Sequence, residues 1–138
     1  MIWLELILIE NIEFVKYLGI KQEGSSLALE PIEELQNHLG SIHAGALFTL
    51  AESQSGLTLI TQFGKANVKA LLRSSNIKYK TEAKSKITAT GYIEPKDIEK
   101  FNIKLHKKGR ALIDVAVEVL DLEHNIVLNA TFSWFIQR

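Results

Sequence analysis

Cysteine is absent from this 138-residue chain. That excludes disulfides, thiolate-held metals and a cysteine nucleophile together, and it fits an intracellular, cytoplasmic setting. The chain also lacks a phosphate loop, a nucleophile elbow and a dinucleotide-binding glycine pattern, which argues against P-loop and α/β-hydrolase chemistry. No repeat or low-complexity linker interrupts it. The apolar opening from Met1 to Glu10 has no basic residue and carries Glu5 and Glu10, so it reads poorly as a secretory signal. It is also far too short to span a bilayer. Hydrophobic residues make up 46% and charged residues 23%, the balance of a folded globular domain rather than a disordered tail. At this length one domain, 1–138, is expected, with a helical segment over 1–20.

Proline is missing from Ile42 to Phe63, and so is charge, with Glu52 the single exception. A helix built from this stretch is apolar on nearly every side and belongs in an interior. Burial disfavours an ionised carboxylate, so Glu52 needs either a polar partner or a task that uses a raised pKa. Just before it lies Asn37-His38-Leu39-Gly40-Ser41-Ile42-His43-Ala44-Gly45-Ala46, a glycine-bearing helix start. At 100° per residue, His43 and Glu52 project from opposite sides of one helix and stand roughly 13 Å apart along its axis. If they share a site, a second copy of the helix completes it, which points to a symmetric dimer. The plainer alternative is a Glu52 paired with a buried hydroxyl or amide and a His43 that is simply polar at a helix start.

Net charge is zero, yet the signs are sorted. Residues 1–64 hold two Lys/Arg against eight Asp/Glu, whereas residues 65–110 hold thirteen against four, an excess of nine positive charges. That block suits an anionic ligand such as the phosphates of a nucleotide-bearing carrier, or it is a solvated strand face whose lysines guard against aggregation. Its aromatics are only Tyr79, Tyr92 and Phe101, too few for a nucleic-acid stacking platform, so no nucleic-acid partner is expected. Of four histidines only His38 and His43 are neighbours, and no metal is expected.

Along the chain, an opening amphipathic helix through Tyr17 would turn Ile9, Ile12, Phe14 and Leu18 partly inward. A short strand fits 24–31. Period-two alternation then marks strands over 68–80, 84–94, 110–121 and 125–137, the last two joined by a turn at 121–125. Ile126, Leu128, Ala130, Phe132, Trp134 and Ile136 share one face of the final strand. Segment 95–109 is a long hairpin end or a short extra helix. The sum is an α+β domain, an antiparallel sheet curled around a long central helix. Leu57, Leu59, Ile60, Leu71 and Leu72 line an acyl channel or fill the core, and for most of them the core is the better assignment.

This element order, with Asn37, Gly40, His43, Gly45 and Glu52, resembles the hotdog-fold acyl-CoA thioesterases, most nearly the phenylacetyl-CoA thioesterase type. That type has an asparagine six residues before a histidine, a His-Gly-Gly turn, and an acid nine residues after the histidine. Asn37, His43 and Glu52 stand at those intervals; Ala44 replaces the first glycine, and the acid is Glu where many relatives carry Asp. The His43-to-Glu52 stretch is also similar to a hotdog branch classed only as candidate thioesterases. The resemblance covers most of the chain from Gly24 onward.

It implies hydrolysis of an acyl-CoA or acyl-carrier-protein thioester without a cofactor or metal, in a homodimer or dimer of dimers. Backbone N–H groups near Ala44 and Gly45 would face the developing oxyanion. Glu52 of the opposing subunit would be general base or nucleophile. Asn37 would bind the carbonyl or water, His43 would be an orienting donor, and Gly40 would let the loop pack against the ligand. Lys65, Lys69, Arg73, Lys78 and Lys80 would be candidates for the nucleotide phosphates. A hotdog dehydratase is the nearest enzymatic rival, but the proline-glycine turn expected after its histidine is absent. The alternative from another class is a non-catalytic acyl-thioester or fatty-acyl binding protein of the same fold.

Overall fold

Alternating apolar residues build the longest strands, and their pairing organises the rest. The computed structural model describes residues 2–3, 8–64 and 68–138. Two strands, β6 (Arg110–Leu120) and β7 (Ile126–Gln137), form an antiparallel hairpin. Asp121 makes its turn: the carboxylate oxygen Oδ1 accepts the N–H groups of Glu123 and Asn125, both at 2.9 Å. The Asn125 N–H, foremost among these contacts, holds the Asp121 carboxyl below its ordinary value. Ile113, Val115, Val117 and Val119 of β6 are buried, as are Leu128, Ala130, Phe132, Trp134 and Ile136 of β7. Ile126 departs from its expected face and is 39% exposed. The register slips between Val119 and Leu120, which pairs Ile126 with Leu120 and lets the turn tip it outward.

Around this hairpin stand β4 (Lys69–Tyr79), β5 (Ile87–Tyr92), β3 (Ser26–Leu29), β2 (Lys21–Glu23) and the two-residue β1 (Ile2–Trp3). The sheet runs β1-β4-β7-β6-β5-β3-β2, antiparallel throughout. The β2 strand, all exposed, shows no apolar alternation and so leaves no sequence signal. Segment 95–109 resolves into a helix, α3 (Pro95–Lys108), with Pro95 in its first turn and Gly109 ending it at φ 72°. Near the N-terminus, a 3₁₀ turn at Ile9–Asn11 precedes α1 (Glu13–Leu18). Ile9 and Val15 point inward there, whereas Phe14 is 61% exposed, contrary to its expected inward turn. The 3₁₀ turn offsets the helical phase by which Phe14 was placed.

The central helix α2 (Ala44–Phe63) packs against β3, β5, β6 and β7. Three polar side chains in its middle, Ser53, Gln54 and Ser55, are all buried. Gln54 ties the helix to an outer strand: its Oε1 accepts the Leu27 N–H at 2.8 Å, and its Nε2 donates to the Ser25 carbonyl at 3.0 Å. Ser55 Oγ accepts the Trp134 indole N–H at 2.9 Å and donates to the Glu52 carbonyl at 2.6 Å. Leu57 and Leu59 are core, Ile60 and Leu72 pack partly against it, and Leu71 is 37% exposed.

Helix and sheet approach closely at Gly91 of β5, where a Cβ would lie 1.9 Å from Thr58 Oγ1 and 2.9 Å from Thr58 Cβ. Gly91→Ala is expected to destabilise the fold by about 1–3 kcal/mol through overpacking. Adding Thr58→Ala should recover part of the loss, as read from urea unfolding midpoints.

Candidate functional site

Two clusters surround α2, one at its start and one at its middle. The loop before the helix is shaped by Asn37, whose Oδ1 accepts from Leu39 N at 2.9 Å, Ser41 N at 3.2 Å and Ser41 Oγ at 3.2 Å. That half of the amide is committed to the loop, which leaves the NH₂ as the part suited to a ligand. Gly40 sits at φ 76° with nothing within 4 Å of a Cβ. Within the chain its glycine answers the left-handed turn, and the space beside it is open. Ile42 N donates to the Ala83 carbonyl at 2.9 Å, and His43 N donates to the Leu35 carbonyl at 2.8 Å, so the helix start is moored on both sides.

His43 is the N-cap residue of α2. Its ring Nδ1 accepts the Gly45 N–H at 2.9 Å, so the ring proton sits on Nε2. The expected orienting donor is thus an acceptor at one nitrogen. The Gly45 N–H, expected to face an oxyanion, is already spoken for, while a Cβ at Gly45 would press on Nδ1 at 3.2 Å. A cavity of about 300 Å³ opens beside this turn, lined by Asn37, Ser41, Ala44, Tyr79, Lys80 and Glu82 among others.

The second cluster centres on Glu52, half-buried on the face of α2 turned to the N-terminal segment. Burial pushes its carboxyl above the ordinary value of 4.5. It shares a cavity of about 160 Å³ with Thr49, Ser53, Ile9, Ile12 and Val15. The two cavities have no residue in common. One protomer therefore holds Asn37, His43 and Ala44 apart from Glu52, as the helical spacing requires.

The basic block disperses. Lys80 alone of the expected phosphate ligands lines the cavity at the helix start. Lys78 lies with it on an open trough of about 720 Å³ across the outer sheet face. Arg73 sits 4.6 Å over the Phe135 ring, and Lys69 begins β4, ten residues or roughly 33 Å of strand from Tyr79. Five further lysines are on α3, whose Phe101 packs on Phe63 at 5.1 Å, at the other end of a helix about 30 Å long. Lys65 lies outside the described residues. Among the described residues no three His, Cys, Asp or Glu side chains gather as metal ligands, and no helix is long and apolar enough to cross a membrane.

Sequence reasoning passed over Ser53, Gln54 and Ser55. Three consecutive polar residues inside an otherwise apolar helix are a readable sign of buried hydrogen bonding.

Residues 15–136 match the profile of DUF4442, a domain of unknown function. The chain belongs to the DUF4442 family. No curated protein matches this DUF4442 sequence. Among solved structures it is similar to PA5026 from Pseudomonas aeruginosa, named a protein of unknown function and probable thioesterase. The identity is 24%, covering 94% of this chain and 90% of that one, at a TM-score of 0.83. It is also similar to BH2602 from Bacillus halodurans, solved with CoA, at 21% identity, 89% and 74% coverage and a TM-score of 0.71. A third likeness is a hypothetical thioesterase from Streptococcus pneumoniae, solved with coenzyme A, at 24% identity, 86% coverage of both chains and a TM-score of 0.64. This DUF4442 chain has the hotdog fold.

The raised Glu52 pKa carries a stability consequence with a definite sign. Between 4.5 and the higher folded value the native state binds the proton that the unfolded chain releases, so stability falls as pH rises through that window. Glu52→Gln is expected to unfold at a higher temperature than the parent at pH 7, with the difference vanishing below pH 4.5, as measured by calorimetry across pH.

Proposed function

We propose that this protein is an acyl-CoA thioesterase working as a dimer, each site joining the helix start of one protomer to Glu52 of the other. The observation that carries the reading is Glu52 itself: the only charge on a buried helix, half-buried in a cleft beside the N-terminal segment and more basic than a surface carboxylate. A general base gains from such a shift, because its affinity for a proton moves toward that of the reacting water. The same carboxylate could instead attack the carbonyl directly, giving a mixed anhydride that water then opens.

The dimer reading is supported by the free edge of the sheet. On the outer side of β4 only Lys69 and Ala70 are paired, with Trp3 and Ile2, among the described residues. From Arg73 to Tyr79 that edge can accept a second copy of itself. At the helix start the Ala44 N–H faces the substrate carbonyl, and the Gly45 N–H joins it once the His43 ring swings off. Asn37 offers its NH₂ to the carbonyl or the water. Lys80 supplies a point charge for a CoA phosphate, or for the phosphate of a carrier-protein arm. The CoA in the BH2602 and pneumococcal structures supports that class of ligand.

One observation favours a second reading. The occupied Gly45 N–H describes a site that lacks half its oxyanion donors, as a non-catalytic acyl-thioester binding protein would.

Thiol release from a panel of acyl-CoAs separates the two. The thioesterase reading predicts turnover that falls at least about 10²-fold in Glu52→Gln, with an acidic limb in kcat/KM above the pH of an ordinary carboxylate. Binding of acyl-CoA without release by either protein would replace it with the binding reading.

A further inference from the structure

One end of the outer sheet face carries apolar side chains where a solvated strand face would be polar. Cross-strand register aligns Leu71, Phe135 and Leu112 in one row over β4, β7 and β6. Their strand neighbours Ala70, Ile136 and Ala111 are buried, so the row faces away from α2. Leu112 is 56% exposed, Leu71 is 37% exposed, and Phe135 is half-buried.

Cations rim this row. A β-bulge between Leu72 and Ser74 adds Arg73 to the strand, and its guanidinium lies 4.6 Å over the Phe135 ring. Arg110 stands in the next row, opposite Gln137. On the β6 side, α3 supplies Lys100 and Lys104, which share a hollow of about 340 Å³ with Leu112, Asp97, Asp114 and Ser133. Of the two acids there, Asp114 is engaged by the Ser133 hydroxyl. At 100° per residue, Lys96, Lys100 and Lys107 fall within about 40° of one another, on the side of α3 opposite Ile98 and Leu105, which pack on the core. The segment 95–108 thus holds five lysines against Asp97 and Glu99. Among the described residues the salt bridges join Lys84 to Glu82 and Lys86 to Glu23, so neither the α3 lysines nor Arg73 and Arg110 belong to one.

An exposed apolar patch rimmed by polar groups marks an interaction surface. A second copy is a poor occupant, because a two-fold axis through the row would set the cations of one chain against those of the other. An anionic bilayer answers both chemistries at once: its phosphates stand at the level of the lysines and arginines, and the acyl boundary just beneath receives Leu71 and Leu112. We propose that this end of the outer sheet face, with α3 beside it, docks the protein on an anionic phospholipid surface. The contact is peripheral, shares no residue with the cavities at Glu52 and at the helix start, and does not rest on the thioesterase reading.

Co-sedimentation of the full chain with lipid vesicles tests this. Vesicles of phosphatidylcholine with about 30% phosphatidylglycerol should retain the protein and pure phosphatidylcholine should not. Raising the salt from about 0.05 to about 0.5 M should weaken retention at least tenfold. Lys100→Glu with Lys104→Glu should also weaken it at least tenfold, since each basic charge near such a surface is worth about fivefold. Leu112→Ser should weaken it about threefold or more by removing apolar contact. Lys16→Glu with Lys21→Glu, the same change of net charge on α1 and the far edge of the sheet, should stay within twofold of the parent. All five positions are exposed, and native circular dichroism and gel filtration check each variant. Thiol release from acyl-CoA in free solution should be unchanged in the Lys100 and Lys104 double variant, so docking and turnover are read separately.

Equal retention by neutral vesicles, no retention by either, unchanged retention in the Lys100 and Lys104 double variant, or an equal loss in the Lys16 and Lys21 pair would each overturn the inference. A changed oligomeric state in Leu112→Ser would overturn it by making this face an interface between copies. Retention on immobilised polyglutamate that needs the same lysines, with none on anionic vesicles, would overturn it in favour of an acidic protein partner.

Discussion

The structure depends on the buried hydrogen bonds that fix the roll of α2. Apolar contacts alone hold a helix to a sheet without deciding its rotation, because a helix that is greasy on every side can turn and still bury its surface. Gln54 and Ser55 remove that freedom. The first grips Ser25 and Leu27 beside one edge of the sheet, and the second grips Trp134 in its middle. Each residue of slip would turn the helix by about 100° and leave these groups unpaired at about 1–3 kcal/mol each. With the roll fixed, Thr49, Glu52, Ser53 and Gly56 together line the cleft against the N-terminal segment, and Glu52 is carried there rather than into the sheet.

The fold thereby maintains a carboxylate that works against its own stability. Burial makes the ionised form of Glu52 unfavourable, and no cation on the helix relieves it. At the start of the same helix a different tension is resolved locally, where the His43 ring accepts the Gly45 N–H, one of the backbone donors that a helix start leaves without an internal partner. The two features occupy separate cavities in one protomer. Their chemistry is complementary, a proton acceptor in one place and hydrogen-bond donors in the other, and in the proposed dimer the edge of β4 would be the route by which two copies bring them together.

Much of the architecture was legible because it rests on periodicity. Strands β6 and β7 alternate so regularly that face, hairpin and turn follow from the residues, and Ile126 fails only because a register slip beside the turn carries no sequence mark. The central helix was equally clear from its missing proline and charge. Less legible were the features that depend on tertiary placement. The excess of positive charge from 65 to 110 is one block in sequence, yet among the described residues it is spread over β4, α3 and the outer sheet face, and of these Lys80 alone lines the cavity at the helix start. The sign of the His43 hydrogen bond, the conformational reason for Gly40, and the outward turn of Phe14 each depend on backbone angles that residue types leave open. The polar triplet Ser53-Gln54-Ser55 was visible but overshadowed by its charged neighbour.

The central claim is that each working site takes its donors from one chain and its carboxylate from another. Subunit mixing addresses it. Asn37→Asp keeps the oxygen that shapes the loop while removing the NH₂ donor, and Glu52→Gln removes the base, so neither homodimer should turn over an acyl-CoA. After unfolding and refolding the two variants together in equal amounts, half the dimers are mixed and one of their two sites is intact. About a quarter of the wild-type rate should return if the sites are composite. A mixture as inactive as its parents would show that both residues act within one chain, or that they never meet.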